Sequence, residues 1–120
     1  AMQEILKMEE KPTAIFGEDL FAIGAIKAIR DHGLNTPEDF SIIGFDDIEL
    51  SNHYDLTTIG QDKIGLGEAA SRLLVRIIDQ TNTSPVVLPT RMIERKTCRR
   101  IKTDFSKTGP VGHDSKSANT

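Results

Sequence analysis

The segment Ser41 to Phe45 is the feature that most constrains the fold of this chain. It is a nearly apolar run without alternation, which is typical of a strand buried on both faces of a sheet. The run ends abruptly in two acidic residues, Asp46 and Asp47. Strands buried on both faces occur almost only in parallel sheets that helices cover. The run therefore predicts a parallel sheet in an α/β protein.

The residues before this run complete a strand–helix–strand unit. Thr13 to Phe16 is a short apolar stretch between a proline and a glycine, which indicates another buried strand. A helix is predicted from Asp19, its N-cap, to His32, and Gly33 ends it. A strand, a helix and a strand in this order imply parallel pairing through a right-handed crossover. The apolar stripe of the helix consists of Ala22, Ala25, Ile26 and Ile29.

The other segments have weaker patterns. A second amphipathic helix is predicted from Asp62, its N-cap, to Gln80, because apolar residues recur at helical spacing from Leu66 to Ile78. The residues from Arg99 onward are polar and without repeats, which is typical of a disordered tail. The remaining predictions are a helix end over Met2–Glu10, an irregular loop over Ile48–Tyr54, an extended segment over Leu56–Gln61 and an edge strand over Val86–Thr97.

Composition limits the classes of function. The formal net charge is −3 and the pI is about 5.6, which argues against DNA binding by this segment itself, because Lys and Arg supply most non-specific affinity. Cys98 is the single cysteine, so no intrachain disulfide forms and a reducing compartment fits best. No apolar run is long enough to span a membrane. We therefore expect a cytoplasmic protein without membrane contact. A basic cluster has acidic residues beside it and is interpreted as a solvated face: Arg95, Lys96, Arg99, Arg100 and Lys102.

Acidic residues follow both strands of the predicted unit. In doubly wound sheets, ligands bind beyond the carboxyl ends of the strands, and here those ends are Gly17-Glu18-Asp19 and Asp46-Asp47. Paired carboxylates could hold Mg²⁺ for phosphoryl transfer. The sequence has no glycine-rich phosphate loop, no Cys/His metal spacing and no nucleophile elbow. We therefore predict a binding site without cofactor or metal, and no enzymatic activity.

Four short motifs follow one another in order over residues 12 to 97. Pro12–Phe16 with Glu18–Gly24 resembles the pattern P-T-A-hydrophobic pair, x-N-D-x-x-A-x-G, and Gly33–Asp39 with Ser41–Asp47 is similar to G-L-x-x-P-x-D-x-S-hydrophobic pair-G-F-D-D. Together with the two later motifs they resemble the sensor domains of LacI/GalR-type transcription regulators. The later motifs are Leu56–Ile59 with Gln61, and Leu88-Pro89 through Arg95-Lys96-Thr97.

This resemblance implies a periplasmic-binding-protein-like type I fold, in which two doubly wound lobes enclose an effector. Residues 1–98 would be the C-terminal part of that sensor domain, with residues 12–55 in the C-terminal lobe and residues 99–120 as the tail. The segment Leu56–Gln61 would cross between lobes, and the helix from Asp62 would belong to the N-terminal lobe. The helix-turn-helix domain and the first half of the sensor would then lie outside this sequence. We therefore expect an incomplete fold, mostly the C-terminal lobe, with exposed apolar surface.

The resemblance also implies a function and partners. The chain would sense a small carbohydrate-like effector in a repressor that contacts DNA only through its absent N-terminal domain. An extracytoplasmic sugar-binding protein of a transporter shares the fold and is the alternative, although the last motif favours the repressor. Relatives are homodimers, and the corresponding interface residues here would be Leu20, Ile23, Ile48, His53 and Tyr54.

Four residues are candidates for effector contact. Asp46 is the first, because a carboxylate at a strand end can accept hydroxyl hydrogen bonds from a sugar, whereas Asp47 is expected to bond the backbone of its own loop. Asp19 either caps its helix or contacts the effector. Glu18 replaces the usual asparagine of the family and, when ionised, only accepts hydrogen bonds; it either favours a cationic or donor-rich ligand or is a solvated carboxylate that points away. Gln61 would line the cleft or stabilise the hinge.

Overall fold

The predicted strand–helix–strand unit is confirmed by a computed structural model, which describes residues 2–81 and 83–100. The second strand has the predicted bounds, and the helix after the first strand ends at Asp31 with His32 as its C-cap. The predicted burial of the two strands is wrong in part, because the first lies at the edge of the sheet with Phe16 66% exposed, and the second buries only alternate residues. Gly33 follows with φ of 73°, a conformation that glycine adopts without strain. The elements are α1 (Met2–Leu6), β1 (Ala14–Phe16), α2 (Asp19–Asp31), β2 (Ser41–Phe45), α3 (Glu49–His53), β3 (Thr57–Gln61), α4 (Lys63–Ile78) and β4 (Thr90–Ile93).

The strands form one sheet in the order β1-β2-β3-β4. The first three strands are parallel, which confirms the predicted pairing of β1 with β2 and adds the extended segment as a third strand, and β4 runs antiparallel to β3. The α/β class is therefore confirmed, with a mixed rather than a purely parallel sheet. Because β4 is reversed, its first residue, Thr90, pairs with the last residue of β3, Gln61. The start of β4 thus joins the carboxyl ends of the other strands at one edge.

The core lies between α2 and the sheet. The predicted apolar stripe of α2 is buried, and Ile29 is only 1% exposed. Ile42 of β2 and Leu56, just before β3, are fully buried beneath it. Each fully buried aliphatic side chain contributes about 1.5–3 kcal/mol relative to its exposed state. The buried apolar residues are Leu6, Ala22, Ile23, Ala25, Ile26, Ile29, Phe40, Ile42 and Leu56.

Two predicted segments differ from the structure. The first helix ends at Leu6 rather than Glu10, because Leu6 is its only buried residue and the next residues find no surface to pack on. The predicted irregular loop over Ile48–Tyr54 contains α3 instead. This short helix has no apolar periodicity, and its one buried residue is Ser51. Ser51 Oγ donates a hydrogen bond to the carboxylate of Asp19, so this helix depends on a partner that is distant in sequence.

The long helix α4 begins as predicted and exposes its apolar residues. The Asp62 side chain accepts a hydrogen bond from the Gly65 backbone N–H at 2.9 Å, which confirms the predicted cap. No residue of α4 is buried, although its sequence is amphipathic. Ile64 is 79% exposed and Ile78 is 69% exposed. No helix in the described part of the chain is long and apolar enough to cross a membrane.

The segment after β4 is anchored through Arg99. The guanidinium of Arg99 donates hydrogen bonds to the carbonyls of Pro37 at 3.1 Å and Glu38 at 3.0 Å. The predicted disordered tail from residue 99 therefore begins with an anchored residue, and its part from 101 to 120 lies outside the described residues. The predicted edge strand over Val86–Thr97 is shorter than expected, because only Thr90–Ile93 pairs with β3.

Candidate ligand-binding site

Polar side chains converge at the carboxyl edge of the sheet. Glu18 follows β1, Asp46 follows β2 and Gln61 ends β3, so the sheet order places these three predicted site residues at the ends of successive strands. Gln61 Nε2 donates a hydrogen bond to Asp46 Oδ1 at 2.7 Å. Both residues are partly buried. Within residues 2–81 and 83–100, the hydrogen bonds leave the second carboxylate oxygen of Asp46 free to accept from a ligand.

The backbone at Asp46 has an unusual conformation. Its φ is 111°, and the next residue, Asp47, has φ of 47°. Positive φ is uncommon for residues with a side chain and is maintained only where the surrounding structure enforces it. One such restraint is the hydrogen bond from the Asp46 N–H to the Ile59 carbonyl, at 2.9 Å. In this conformation the Asp46 carboxylate lies within hydrogen-bond distance of Gln61.

A cleft opens beside Asp46 and Gln61. Its volume is about 590 Å³, which lies within the range of small-molecule sites. Its wall combines hydroxyl, amide and carboxylate groups with two cationic side chains, so it can both accept and donate hydrogen bonds. The lining residues are Asp46, Asp47, Gly60, Gln61, Asp62, Lys63, Ile64, Pro89, Thr90 and Arg91.

Asp47 is held by an arginine. Arg95 donates to Asp47 Oδ1 at 2.9 Å and to the Leu56 carbonyl at 2.8 Å. The Arg95 side chain is only 17% exposed. The prediction that the Asp47 side chain bonds the backbone of its own loop is wrong, because its carboxylate pairs with Arg95, which follows β4. No three His, Cys, Asp or Glu side chains within residues 2–81 and 83–100 are close enough to hold a metal ion together.

Arg95 belongs to the basic cluster of the sequence, and the structure disperses this cluster. Lys96 Nζ is 2.9 Å from Asp55 Oδ2, and Arg99 binds carbonyls as described above. Arg100 is also within the described residues, whereas Lys102 lies outside them. The cations in positions 95, 96 and 99 are therefore engaged within the chain.

Asp19 is not the N-cap of its helix. Glu18 holds that position without a side-chain cap bond, and the Asp19 carboxylate instead faces the sheet, where it is 1% exposed. It accepts hydrogen bonds from Ser51 Oγ at 2.5 Å, Thr58 Oγ1 at 2.6 Å and the Ile48 N–H at 2.9 Å. The prediction of a cap is wrong because three donors from distant segments surround this carboxylate. Their occupancy also leaves Asp19 no surface for direct ligand contact.

Glu18 and three of the five predicted interface residues are exposed to solvent, whereas the other two interface residues contact the core. Glu18 is exposed and does not line the cleft. Leu20 is 66% exposed and Tyr54 is 37% exposed, and His53 is also exposed. Two others contact the core instead. Ile23 is 8% exposed within the core, and Ile48 packs against it.

Sequence reasoning missed Ser51, Thr58 and Arg95 as residues that shape the site. Ser51 and Thr58 lie 32 and 39 positions from Asp19, and a serine in a polar segment or a threonine in a strand carries no pattern of its own. Arg95 lies in a charge run, which by itself indicates a solvated face. The one available signal was the acidic pair Asp46-Asp47, which needs donors or cations from elsewhere when it is partly buried.

Cys98 provides a pH-dependent test of this part of the fold. Burial raises the pKa of its thiol, and hydrogen bonds with Thr57, Thr97 and Ile42 oppose this only in part. A raised pKa lowers the thiolate fraction at any given pH, and the thiolate is the reactive form. We expect iodoacetamide to label Cys98 more slowly than a cysteine in an unstructured peptide, with a rate that keeps rising above the pH at which the peptide levels off. Mass spectrometry at several pH values measures this, and an identical pH profile for both thiols would contradict it.

The fold and the site together define a class of protein. An α/β sheet with a polar cleft at its carboxyl edge is a ligand-binding architecture, and residues 1–98 match the family model described as periplasmic binding protein-like domain. The chain belongs to this family. Within it, the resemblance to effector-binding domains of LacI/GalR-type regulators is confirmed by the relatives below.

Curated relatives of the chain are transcription regulators. An HTH-type transcriptional repressor, PurR, from Klebsiella pneumoniae is 42% identical over 101 residues, which cover 80% of this chain and 30% of the relative. An HTH-type transcriptional regulator, MalR, from Clostridium butyricum is 38% identical over 104 residues, which cover 83% of this chain and 31% of the relative. The chain thus spans about a third of the length of these relatives.

Solved structures agree with this assignment. The Lac repressor dimer bound to operator and the anti-inducer ONPF has a TM-score of 0.74 and 34% identity, over 81% of this chain and 35% of that one. The CelR transcriptional regulator in complex with cellobiose has a TM-score of 0.71 and 32% identity, over 81% of this chain and 31% of that one. The likeness therefore extends over most of the chain in both sequence and fold.

Proposed function

We propose that this chain is the effector-sensing and dimerisation segment of a transcriptional repressor that responds to a small carbohydrate-like molecule. DNA contact would come through another domain of the intact protein, and the cytoplasm is the compartment in which such a regulator meets DNA. The regulator relatives favour this function over the transporter alternative and over an enzyme. Effector binding would favour one relative position of the two lobes. The coupling free energy between effector binding and DNA binding would then be about 1–3 kcal/mol.

One observation carries the proposal: a partly buried carboxylate with a free oxygen stands at the mouth of a cleft. Asp46 is fixed by Gln61 through one oxygen at 2.7 Å, so its other oxygen can accept from a sugar hydroxyl. The Gln61 side-chain carbonyl can accept a second hydroxyl hydrogen bond. Adjacent hydroxyls of a pyranose suit two such acceptors side by side. We therefore assign the principal effector contacts to Asp46 and Gln61.

Glu18 extends the proposed site along the edge of the sheet. It follows β1, which lies next to β2, the strand that Asp46 follows, and neighbouring strands lie about 4.8 Å apart. Its exposed carboxylate would accept from a part of the effector that reaches beyond the cleft. An amino group there would gain a charge-assisted hydrogen bond. Lys63 and Arg91 in the cleft wall would suit an anionic group at the other end, so amino sugars and sugar phosphates both belong in the test.

We further propose a homodimer that uses the exposed parts of the predicted interface. Leu20, His53 and Tyr54 supply this surface, and Phe21, which is 74% exposed, extends it. Ile23 contributes to the core beneath α2 rather than to the interface. The exposed apolar face of α4 requires a separate covering surface, and the other lobe of the sensor domain is the partner that the fold suggests.

The test is isothermal titration of the intact protein, with this chain in its natural context, against neutral sugars, amino sugars and sugar phosphates. We expect at least one ligand to bind, and Asp46→Ala to raise its Kd at least about tenfold, because a sheltered charge-assisted hydrogen bond contributes about 1.5–3 kcal/mol. Asp46→Asn keeps the shape but weakens the acceptor, so its effect should be intermediate.

Asp55→Ala is the matched control for this titration. Asp55 also has positive φ, at 49°, but it pairs with Lys96 on the surface and does not line the cleft. Its removal should leave the Kd within about twofold. Equal affinities for wild type and Asp46→Ala would refute the site assignment, and a failure of every carbohydrate to bind would refute the effector class.

A further inference from the structure

A closed ring of hydrogen bonds supports the turn at Asp46 and Asp47. The Asp47 N–H donates to Thr58 Oγ1 at 3.4 Å, and the Thr58 hydroxyl donates to Asp19 Oδ1 at 2.6 Å. The other oxygen of that carboxylate accepts from the Ile48 N–H at 2.9 Å. Successive backbone amides of the turn are therefore bound by one threonine and one aspartate. We call this ring, made by Asp19, Thr58 and the backbone of residues 47 and 48, the Asp19 ring.

The surroundings of the Asp19 ring make it rigid. Asp19 and Thr58 are 1% and 0% exposed, so water cannot replace their hydrogen bonds. The Asp19 carboxylate lies against Gly44 of β2, where even a Cβ atom would collide with Oδ1. Ser51 of α3 donates to the same carboxylate. Asp19 thus joins α2, β3 and α3 directly behind the turn.

The turn needs such support because its backbone is strained. Asp46 and Asp47 have φ of 111° and 47°, conformations that persist only when neighbouring groups enforce them. Without the ring, the turn could relax toward ordinary φ values, and the Asp46 side chain would then leave the position fixed by Gln61. Pre-organised contacts bind better because the ordering cost is met before the ligand arrives.

We infer that Asp19 is a positioning residue for effector binding: acting through Thr58 and the Ile48 amide, it holds the strained turn that presents Asp46 to the ligand. This inference rests on the proposed function for the role of Asp46. It assigns Asp19 no ligand contact, and it means that Thr58, which does not line the cleft, influences affinity indirectly through the turn.

The experiment compares Thr58→Val, Thr58→Ser and Ile29→Val in the intact protein. Valine keeps the shape of threonine but removes the two ring bonds made by the Thr58 hydroxyl, whereas serine keeps the hydroxyl. Ile29 is buried in the core and makes no bond in the ring. Ile29→Val should therefore lower the stability of the fold without removing a ring hydrogen bond. Hydrogen exchange of the Asp47 and Ile48 amides and the effector Kd are measured well below the unfolding temperature.

We expect Thr58→Val to accelerate exchange at these two amides at least about tenfold and to raise the Kd about three- to tenfold, the net size of one hydrogen bond. Thr58→Ser should restore both, and Ile29→Val should change neither. Unchanged exchange in Thr58→Val would overturn the inference, and so would accelerated exchange with an unchanged Kd. If the wild type binds no ligand, the proposed function fails and the effector role of Asp19 fails with it, while exchange alone still shows whether the ring holds the turn.

Discussion

Replacement of Gly44 by alanine should lower the free energy of unfolding of the full chain by about 3–5 kcal/mol. A Cβ atom at this position would collide with Asp19 Oδ1 and would lie 2.8 Å from Leu56 Cδ2. Both neighbours are buried in packed surroundings and cannot move aside. The collision would displace the Asp19 carboxylate and leave hydrogen-bond donors unsatisfied in the interior. Urea denaturation followed by circular dichroism measures the change.

Gly24→Ala is the matched control for this substitution. Gly24 is an exposed position of α2, and a Cβ atom there would meet nothing within 4 Å. Alanine in a helix is about 0.5–1 kcal/mol more favourable than glycine, so this variant should be slightly more stable than the wild type. If both glycine variants behave alike, the close approach of Asp19 to β2 is not a feature of the folded protein.

Thr97→Val should destabilise the chain by about 2 kcal/mol. The Thr97 hydroxyl accepts a hydrogen bond from the Thr57 N–H at 2.9 Å and donates to the Ile42 carbonyl at 2.7 Å. It is 5% exposed, so no water takes its place. Valine has nearly the same shape but leaves the Thr57 N–H buried without a partner. The Ile42 carbonyl still accepts from Cys98 Sγ, and the loss is therefore less than that of two hydrogen bonds.

Thr97→Ser distinguishes the contribution of the Thr97 hydroxyl to stability from that of its methyl group. Serine keeps both hydrogen bonds and removes one methyl group, which should cost about 1 kcal/mol or less. Urea denaturation should rank wild type, serine and valine in order of falling stability. A valine variant as stable as the serine variant would mean that, in solution, the Thr97 hydroxyl does not make its hydrogen bonds to Ile42 of β2 and Thr57 of β3.

The sequence predicted the elements that carry a local pattern. The apolar run over Ser41–Phe45 and the stripe of α2 appear as a strand and a helix at the expected places. The Asp62 cap is confirmed as well. The edge of the sheet that carries Glu18 and Asp46 followed from the order of strands and helices, because parallel strands place their carboxyl ends together, whereas the place of Gln61 on this edge came from the structure.

The role of Asp19 could not be predicted in this way. An aspartate at the start of a helix is a frequent N-cap, and nothing near it in sequence indicates another partner. Its donors lie 29 to 39 residues further along the chain. The helix α3 was missed for the same reason, because Ser51 and the Ile48 amide are held by this distant carboxylate.

By itself, the sequence determined the class of fold, the parallel pairing of its first two strands and the acidic edge at which a ligand is proposed to bind. Periodicity and capping act between residues a few positions apart, so they can be inferred without knowing the rest of the chain. Only the tertiary structure decided the antiparallel direction of β4, the Arg95 partner of Asp47 and the burial of Asp19. Each of these depends on which polar groups meet once the chain has closed, and a buried polar group must find its partner there or lose about 1–3 kcal/mol of stability.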